Sequence, residues 1–236
     1  MKIEDYQLDE WRGRKTSVLD KFSLKGKKAI VTGGAGGFGR NVGAAFADAG
    51  ADVALIDLAI KKEYLDAVAQ EMSTQYGVKV AAMYCDITSN EQVDALEKEI
   101  LKELGTIHVA FINAGVCLPG EDKDIPWEVW QKNIDINLHG AFRTAQMTQK
   151  MMRAHQHGGS IIMTSSMSAY ITNQMFNAPT PVMAYSAAKA GISQYARTLA
   201  AYVVDDGIRV NTIAPGYMWS GIHAGLMSQE AHDIAC

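Results

Sequence analysis

From Lys27 to Ile213, short apolar runs alternate with longer segments of helical periodicity, and few architectures accept that rhythm. The runs over 27–32, 52–57, 78–85, 107–112, 160–164 and 208–213 have the length and bounded ends of buried strands. Helical patterns fall between them, over 41–49, 63–76, 90–104, 128–154 and 184–204. Strands that alternate with helices return by right-handed crossovers, so the expected fold class is α/β, a doubly wound parallel sheet covered on both faces. The 236 residues suit one large domain, and an apolar content of 48% is ample for its core. The chain divides into an arm over 1–25, without clear periodicity, and a single domain over 26–236. The arm lies on the domain or on a partner subunit, or else is a floppy tail.

Composition removes several functions. Twenty-two basic and 26 acidic residues give a net charge of −4, without the basic stripe of a nucleic-acid binder. Cys85, Cys117 and Cys236 are scattered and form no CxxC, which favours a reducing, cytoplasmic setting over a disulfide framework. The first residues carry Glu4, Asp5, Asp9 and Glu10 and do not read as a signal peptide. No apolar run approaches the ~20 residues that span a bilayer, so no membrane partner is expected. His155 and His157 flank one residue with no third ligand in sight, and a solvated loop is the expectation there rather than a metal site. Met147, Met151 and Met152 fit a packing stripe. There is no Gly-x-Ser-x-Gly of a serine hydrolase.

Thr32-Gly33-Gly34-Ala35-Gly36-Gly37-Phe38-Gly39 joins the first strand to the first helix. A pyrophosphate requires backbone N–H groups at close range and the positive end of a helix, and side chains would block that approach. A plain tight turn would use glycines too; the position in the first βαβ unit argues for a dinucleotide site on a Rossmann-type domain. Asp57 ends the second strand, where a carboxylate can bind both ribose hydroxyls of NAD and repel a 2′-phosphate. NAD is therefore expected over NADP, with Lys61 and Lys62 close enough to soften the preference. The competing reading of Asp57 is an acidic strand end without a ligand.

Tyr185-Ser186-Ala187-Ala188-Lys189 puts a phenol and an ammonium at i and i+4, on one helix face. An ordinary tyrosine, with a pKa near ~10, is a poor base at neutral pH, and lowering it by ~3 units takes about 4 kcal/mol. A neighbouring ammonium favours the phenolate. Such a pair on a helix is commonly a surface pair; a dinucleotide loop upstream favours a reacting centre.

The spacing of Gly33, Gly37 and Gly39 is Gly-x-x-x-Gly-x-Gly, and with the Tyr-x-x-x-Lys pair it resembles the short-chain dehydrogenase/reductase family. Further segments match that family in order. Asp86-Ile87 after the third strand resembles its Asp-hydrophobic pair, which implies contact with adenine. Asn113-Ala114-Gly115 resembles its Asn-Ala-Gly turn. Asn137, in Asp135-Ile136-Asn137-Leu138-His139-Gly140, matches its helix asparagine, which implies a water linking the lysine to solvent; a satisfied buried amide is the alternative. Ser166 is preferred to Ser165 as its catalytic serine, with a capping serine as the competing reading. Pro215-Gly216, followed by Tyr217 and Met218, resembles the turn against the nicotinamide carboxamide, and Ser220 stands where many members carry threonine. The resemblance implies Asn137, Ser166, Tyr185 and Lys189 as catalytic residues. It implies cofactor contacts from Gly33, Gly37, Phe38, Gly39, Asp57, Asp86, Ile87, Asn113, Gly115, Tyr185, Lys189, Pro215, Gly216 and Met218, with no metal.

The implied activity is hydride exchange between NAD and a small alcohol or carbonyl compound. Ser165 to Ser168 and Pro215 to Met218 resemble polyol dehydrogenases and ketose reductases. A hydroxysteroid or 3-oxoacyl substrate is the rival, and a non-catalytic dinucleotide-binding protein is the rival class. Two departures stand out. Tyr185 follows Ser166 by 19 positions, a handful more than most members, with the added stretch at 173–182. Only 20 residues follow Gly216, so the family's lid is at most begun, over 221–235, and its last strand is missing; the chain is truncated, or something else covers that sheet edge. The small residues Ala187, Ala188, Gly191 and Ala196 permit close helix–helix approach, and the family implies a homodimer or homotetramer.

Overall fold

A computed structural model describes residue 17 and residues 19–118, 124–172 and 182–218. Six strands alternate with helices: β1 Lys28–Thr32, α1 Gly37–Asp48, β2 Asp52–Asp57, α2 Lys62–Tyr76, β3 Val80–Tyr84, α3 Asn90–Leu104, β4 Val109–Ile112, α4 Trp127–Ile134, α5 Gly140–His155, β5 Gly159–Thr164, α6 Met183–Tyr202 and β6 Ile208–Ile213. All five pairings are parallel, and the order is β3-β2-β1-β4-β5-β6. The chain winds outward from β1 in one direction and then from β4 in the other. The crevice lies beyond the carboxyl ends of those two neighbours.

Side chains alternate across the sheet and make two cores. Ile30, Ile56, Ile112 and Ile161 face α3, α5 and α6, including Leu96, Ile100, Met152 and Ile192. Ala29, Val31, Leu55 and Phe111 face α1 and α2, including Ala47, Leu65 and Val68. Met147, Met151 and Met152 are buried in the first of these cores, as a packing stripe.

Element ends follow local chemistry. Ser89 caps α3 by accepting from the Gln92 N–H at 3.3 Å, while the Gln92 side chain accepts from the Asp86 N–H at 2.8 Å. Gly77 closes α2 in the left-handed conformation, φ 66°. Two expectations need correction. The first helix begins at Gly37 and not at 41, because its first turn is made of glycines that carry no apolar signal. The helix expected over 128–154 is interrupted: between α4 and α5, Asp135–His139 forms a π turn in which the Gly140 N–H reaches back to the Asp135 carbonyl.

The small-residue face of α6 also resolves differently. Ala188 and Ala196 are buried within this chain, Ala187 is exposed, and a methyl on Gly191 would lie 3.1 Å from Leu138 of the π turn. The close helix approach is therefore made inside the subunit. The arm is described only at Ser17 and from Leu19 on; the Leu24 N–H donates to the Ala49 carbonyl at 2.8 Å. The expected missing strand, the lid over 221–235, Ser220 and Cys236 lie outside the described residues, as do 173–181 of the added loop. Among the described residues no helix is long and apolar enough to cross a membrane.

At the amino ends of the strands, away from the crevice, His108 accepts from the Lys28 N–H at 3.0 Å and stacks on His157, ring centres 4.3 Å apart. His157 is thus an exposed but engaged ring, hydrogen-bonded to Thr106 at 2.7 Å, and not simply a solvated loop residue. No set of three ligands for a metal occurs among the described residues. Burial, then the positive neighbours His157, Lys27, Lys28 and His155, push the His108 imidazole down to about 4. Its folded value lies below the unfolded one, so its stabilisation is complete above the unfolded value near ~6.5 and is lost as pH falls through the folded one, a loss of about 2 kcal/mol after screening at this half-buried site. His108→Asn, which keeps an acceptor for Lys28 but cannot protonate, should flatten the fall in melting temperature between pH 7 and pH 4.5. An unchanged fall would remove His108 as its cause.

Candidate active site

A cleft of about 1120 Å³ opens at the carboxyl ends of the strands. Every residue expected at the site except Asn137 lines it. Asn137 lies fully buried just behind, with its Oδ1 2.6 Å from where a methyl on Gly115 would project.

The glycine loop forms one wall. It is pinned to β2 by the Gly34 N–H on the Ile56 carbonyl at 3.0 Å and the Ala35 N–H on Asp57 Oδ2 at 2.9 Å. Gly33 has φ 71°, and a methyl on Gly39 would lie 2.2 Å from the Gly33 carbonyl oxygen, so neither position accepts a side chain. The start of α1 therefore faces the cleft as bare backbone, and its first N–H groups have no intrahelical acceptor. Phe38 turns its ring inward, edge-on to Phe111 with centres 5.5 Å apart. This cradle fits a pyrophosphate.

Asp57 is nearly buried, and both its oxygens are engaged: Oδ2 by Ala35, Oδ1 by the Leu58 N–H at 2.9 Å and by the Lys61 ammonium at 3.3 Å. Lys61 thus touches the carboxylate expected to read the ribose. Lys62 turns elsewhere, to Asp66 at 2.9 Å and over the Tyr84 ring. Asp86 accepts from the Thr88 N–H and hydroxyl at 2.9 and 2.7 Å, and Ile87 beside it is buried.

Across the switch point the Thr32 hydroxyl accepts from the Asn113 and Ala114 N–H groups at 2.9 and 3.1 Å. Asn113 donates its amide to the Thr32 carbonyl at 3.2 Å and accepts from the Thr164 hydroxyl at 3.2 Å. The Lys189 ammonium, 2% exposed, donates to the Thr164 carbonyl at 2.9 Å. Asn137 gives both amide protons away, to the Val116 carbonyl at 2.8 Å and the Asn133 carbonyl at 3.0 Å, and accepts from the Val116 N–H at 3.1 Å. It is a satisfied buried amide, and the second lone pair of Oδ1 is what remains for any further partner.

Ser166 and Tyr185 meet. The Ser166 hydroxyl lies near enough to Tyr185 to lower its phenol, and its Oγ accepts from the Ser168 N–H at 3.1 Å, so this serine both caps a turn and faces the phenol. Ser165 points the other way, into α6, where it meets Ser193 at 2.6 Å. The Lys189 Nζ lies 5.5 Å from the Tyr185 ring centre. Pro215, Gly216 and Met218 form the facing lip, joined to the serine loop by the Met167 N–H on the Pro215 carbonyl at 3.0 Å.

Burial raises the Tyr185 phenol above its ordinary value, and the nearby Ser166 hydroxyl offsets only part of that. Burial pushes the Lys189 ammonium down to about 8. Burial thus favours the neutral form of both groups.

Thr32, Thr164 and Ser193 were given no role from the sequence, and Ser165 only that of a rejected alternative to Ser166. Thr32 directly precedes the glycines, and Ser193 continues the i+4 series of Tyr185 and Lys189, so a signal existed for both. Cys117 also lines the cleft, beside the Asn113 turn, with no motif to mark it.

Known proteins agree with this geometry. A family model described as short chain dehydrogenase matches residues 27–231. A sorbose reductase of Candida albicans is 40% identical over 210 residues, 88% of this chain and 72% of that protein. An NADP-dependent mannitol dehydrogenase of Alternaria alternata is 37% identical over 209 residues, 88% of this chain and 76% of that protein. The crystal structure of a short-chain type dehydrogenase/reductase from Mycobacterium marinum superposes with a TM-score of 0.83 at 36% identity, covering 89% of this chain and 80% of that one. With its dinucleotide cradle, its facing Ser166 and Tyr185, and these relatives, the chain belongs to the short-chain dehydrogenase/reductase family, oxidoreductases that work between alcohols and carbonyl compounds with a nicotinamide dinucleotide.

Proposed function

We propose that this chain is an NAD-dependent oxidoreductase that moves a hydride between the nicotinamide and a secondary alcohol or ketone, with a polyol or ketose as substrate. The placement of Ser166 beside Tyr185 in the cleft, one helical turn from Lys189, carries the reading. The likeness to a sorbose reductase and a mannitol dehydrogenase supports the substrate class.

In the oxidative direction the substrate hydroxyl lies between Ser166 and Tyr185. The Ser166 hydroxyl donates to the substrate oxygen, and Tyr185 as phenolate takes the proton. When bound, the dinucleotide would supply the hydride acceptor and, oxidised, a positive charge that favours the phenolate. Lys189, now on the Thr164 carbonyl, would hold the nicotinamide ribose. The second lone pair of Asn137 Oδ1 holds a water that passes the proton outward. Reduction reverses each role, with Tyr185 as the acid.

Asp57 supports NAD, since its buried carboxylate would meet the ribose hydroxyls with negative charge. Two observations favour a second reading, NADP. The Lys61 ammonium already sits on Asp57, and the Alternaria relative is named as NADP-dependent. The reading further takes the chain as a cytoplasmic homodimer or homotetramer, a catalytic domain over 26–236 preceded by an arm. The apolar surface of half-exposed Phe142 on α5, edge-on to Tyr195 of α6, supports assembly across those helices.

Tyr185→Phe should lower kcat for sorbose reduction about a thousandfold while NADH affinity stays within about threefold, since the ring remains and only the proton carrier is removed. Retained turnover would sink the assignment. In the wild type, kcat/KM should favour NADH over NADPH by about tenfold or more, and Asp57→Ser should erase most of that margin. A wild-type preference for NADPH, lost in Lys61→Ala, would establish the second reading instead.

A further inference from the structure

Behind the reacting pair lies a second set of hydroxyls that the proposed chemistry does not use. Ser165 and Ser193 are 1% and 3% exposed, and their oxygens are 2.6 Å apart. The Tyr170 hydroxyl donates to Ser193 at 3.0 Å, and Ser165 donates to the Lys189 carbonyl at 3.1 Å. One consistent set of protons runs through all three: Tyr170 to Ser193, Ser193 to Ser165, Ser165 to the carbonyl of Lys189. Each hydroxyl donates once, so the chain is satisfied without water, and such chains strengthen their own links.

Its position matters more than its energy. Ser165 and Ser166 are consecutive residues beyond the end of β5, and in extended backbone consecutive side chains point to opposite sides. Ser166 has extended dihedrals, φ −162° and ψ 156°. Turning Ser165 into α6 therefore turns Ser166 toward the cleft. On α6 itself, Tyr185, Lys189 and Ser193 follow at i, i+4 and i+8 along one face. The strand end meets the helix at two rungs, Ser165 hydrogen-bonded to Ser193 and Ser166 beside Tyr185. The inner rung ties its strand-side serine to the Lys189 backbone as well as to Ser193.

We propose that Ser165 and Ser193 are positioning residues, whose hydroxyl pair holds α6 against the end of β5 so that Ser166 and Tyr185 stay side by side in the cleft. The inference rests on the proposed roles of Ser166 and Tyr185. Neither positioning residue touches substrate; each acts through its neighbour on the other rung. Tyr170 caps the pair from the outer side.

The test is steady-state kinetics of sorbose reduction on the full chain, alongside NADH titration and melting temperature. A single alanine at either position leaves a buried hydroxyl without its partner, which confuses folding with function. The double variant Ser165→Ala/Ser193→Ala removes both halves of the pair. It should keep NADH affinity within about twofold and melt within a few degrees of the wild type, yet lose about tenfold or more in kcat, since small misplacements of reacting groups are costly. Ser193→Thr, which keeps the hydroxyl, should retain kcat within about threefold. A double variant with kcat within twofold of the wild type would overturn the proposal, as would loss of NADH affinity and melting temperature in step with kcat. Tyr185→Phe in the same assay separates the two failures. If it remains active, the reading of the reacting centre falls and takes this inference with it. If it is dead while the double variant is fully active, only the positioning role falls.

Discussion

The hydroxyl of Thr32 holds the mouth of this sheet together. At the switch point β1 and β4 are neighbours in space but separated by three crossovers in sequence, and their carboxyl ends must stay apart enough for a ligand yet fixed in relative height. One oxygen accepting two N–H groups, from Asn113 and Ala114, does both. Asn113 carries the link to Thr164 on β5, and the Thr164 carbonyl receives the Lys189 ammonium. The phosphate cradle and the reacting helix are thereby tied through three strand ends by short polar contacts. In a buried setting each of these groups would cost about 1–3 kcal/mol if left unpaired, so the linked arrangement is strongly selected over a loosened one.

The π turn is the second constraint. Asn137 lies fully buried in it and uses its amide to hold both backbone groups of Val116, just after the turn that carries Gly115. Gly115 has room for no side chain, because a methyl there would meet Asn137 Oδ1 and the Lys189 ammonium together. The floor of the cleft is therefore packed from below by the helix and cannot be filled from above by the loop. The same packing explains the electrostatics. Burial of Tyr185 and Lys189 also pushes both toward their neutral forms.

Much of the site was legible in the residue string because its parts are local. The glycine loop, the Tyr-x-x-x-Lys pair and the Asn-Ala-Gly turn each declare themselves within a few residues. The strand and helix pattern was legible for the same reason, since burial on both faces leaves continuous apolar runs. Errors fell where local pattern and backbone state part company: the glycine start of α1 and the π turn, where no side-chain periodicity marks the extra residue. Thr164 was illegible as a functional position, because a hydroxyl at a strand end gains meaning only from what a distant segment brings against it.

Spacing along single segments sufficed for the fold class and the place of the cradle. Contacts between segments settled the rest: Ser165 turned into α6, Gly191 packed against Leu138 of its own subunit, Lys61 placed on Asp57, and the phenol held up by burial. These are outcomes of burial and of contact between segments far apart in the chain. Desolvation, packing and hydrogen-bond partners exist only once the segments have met.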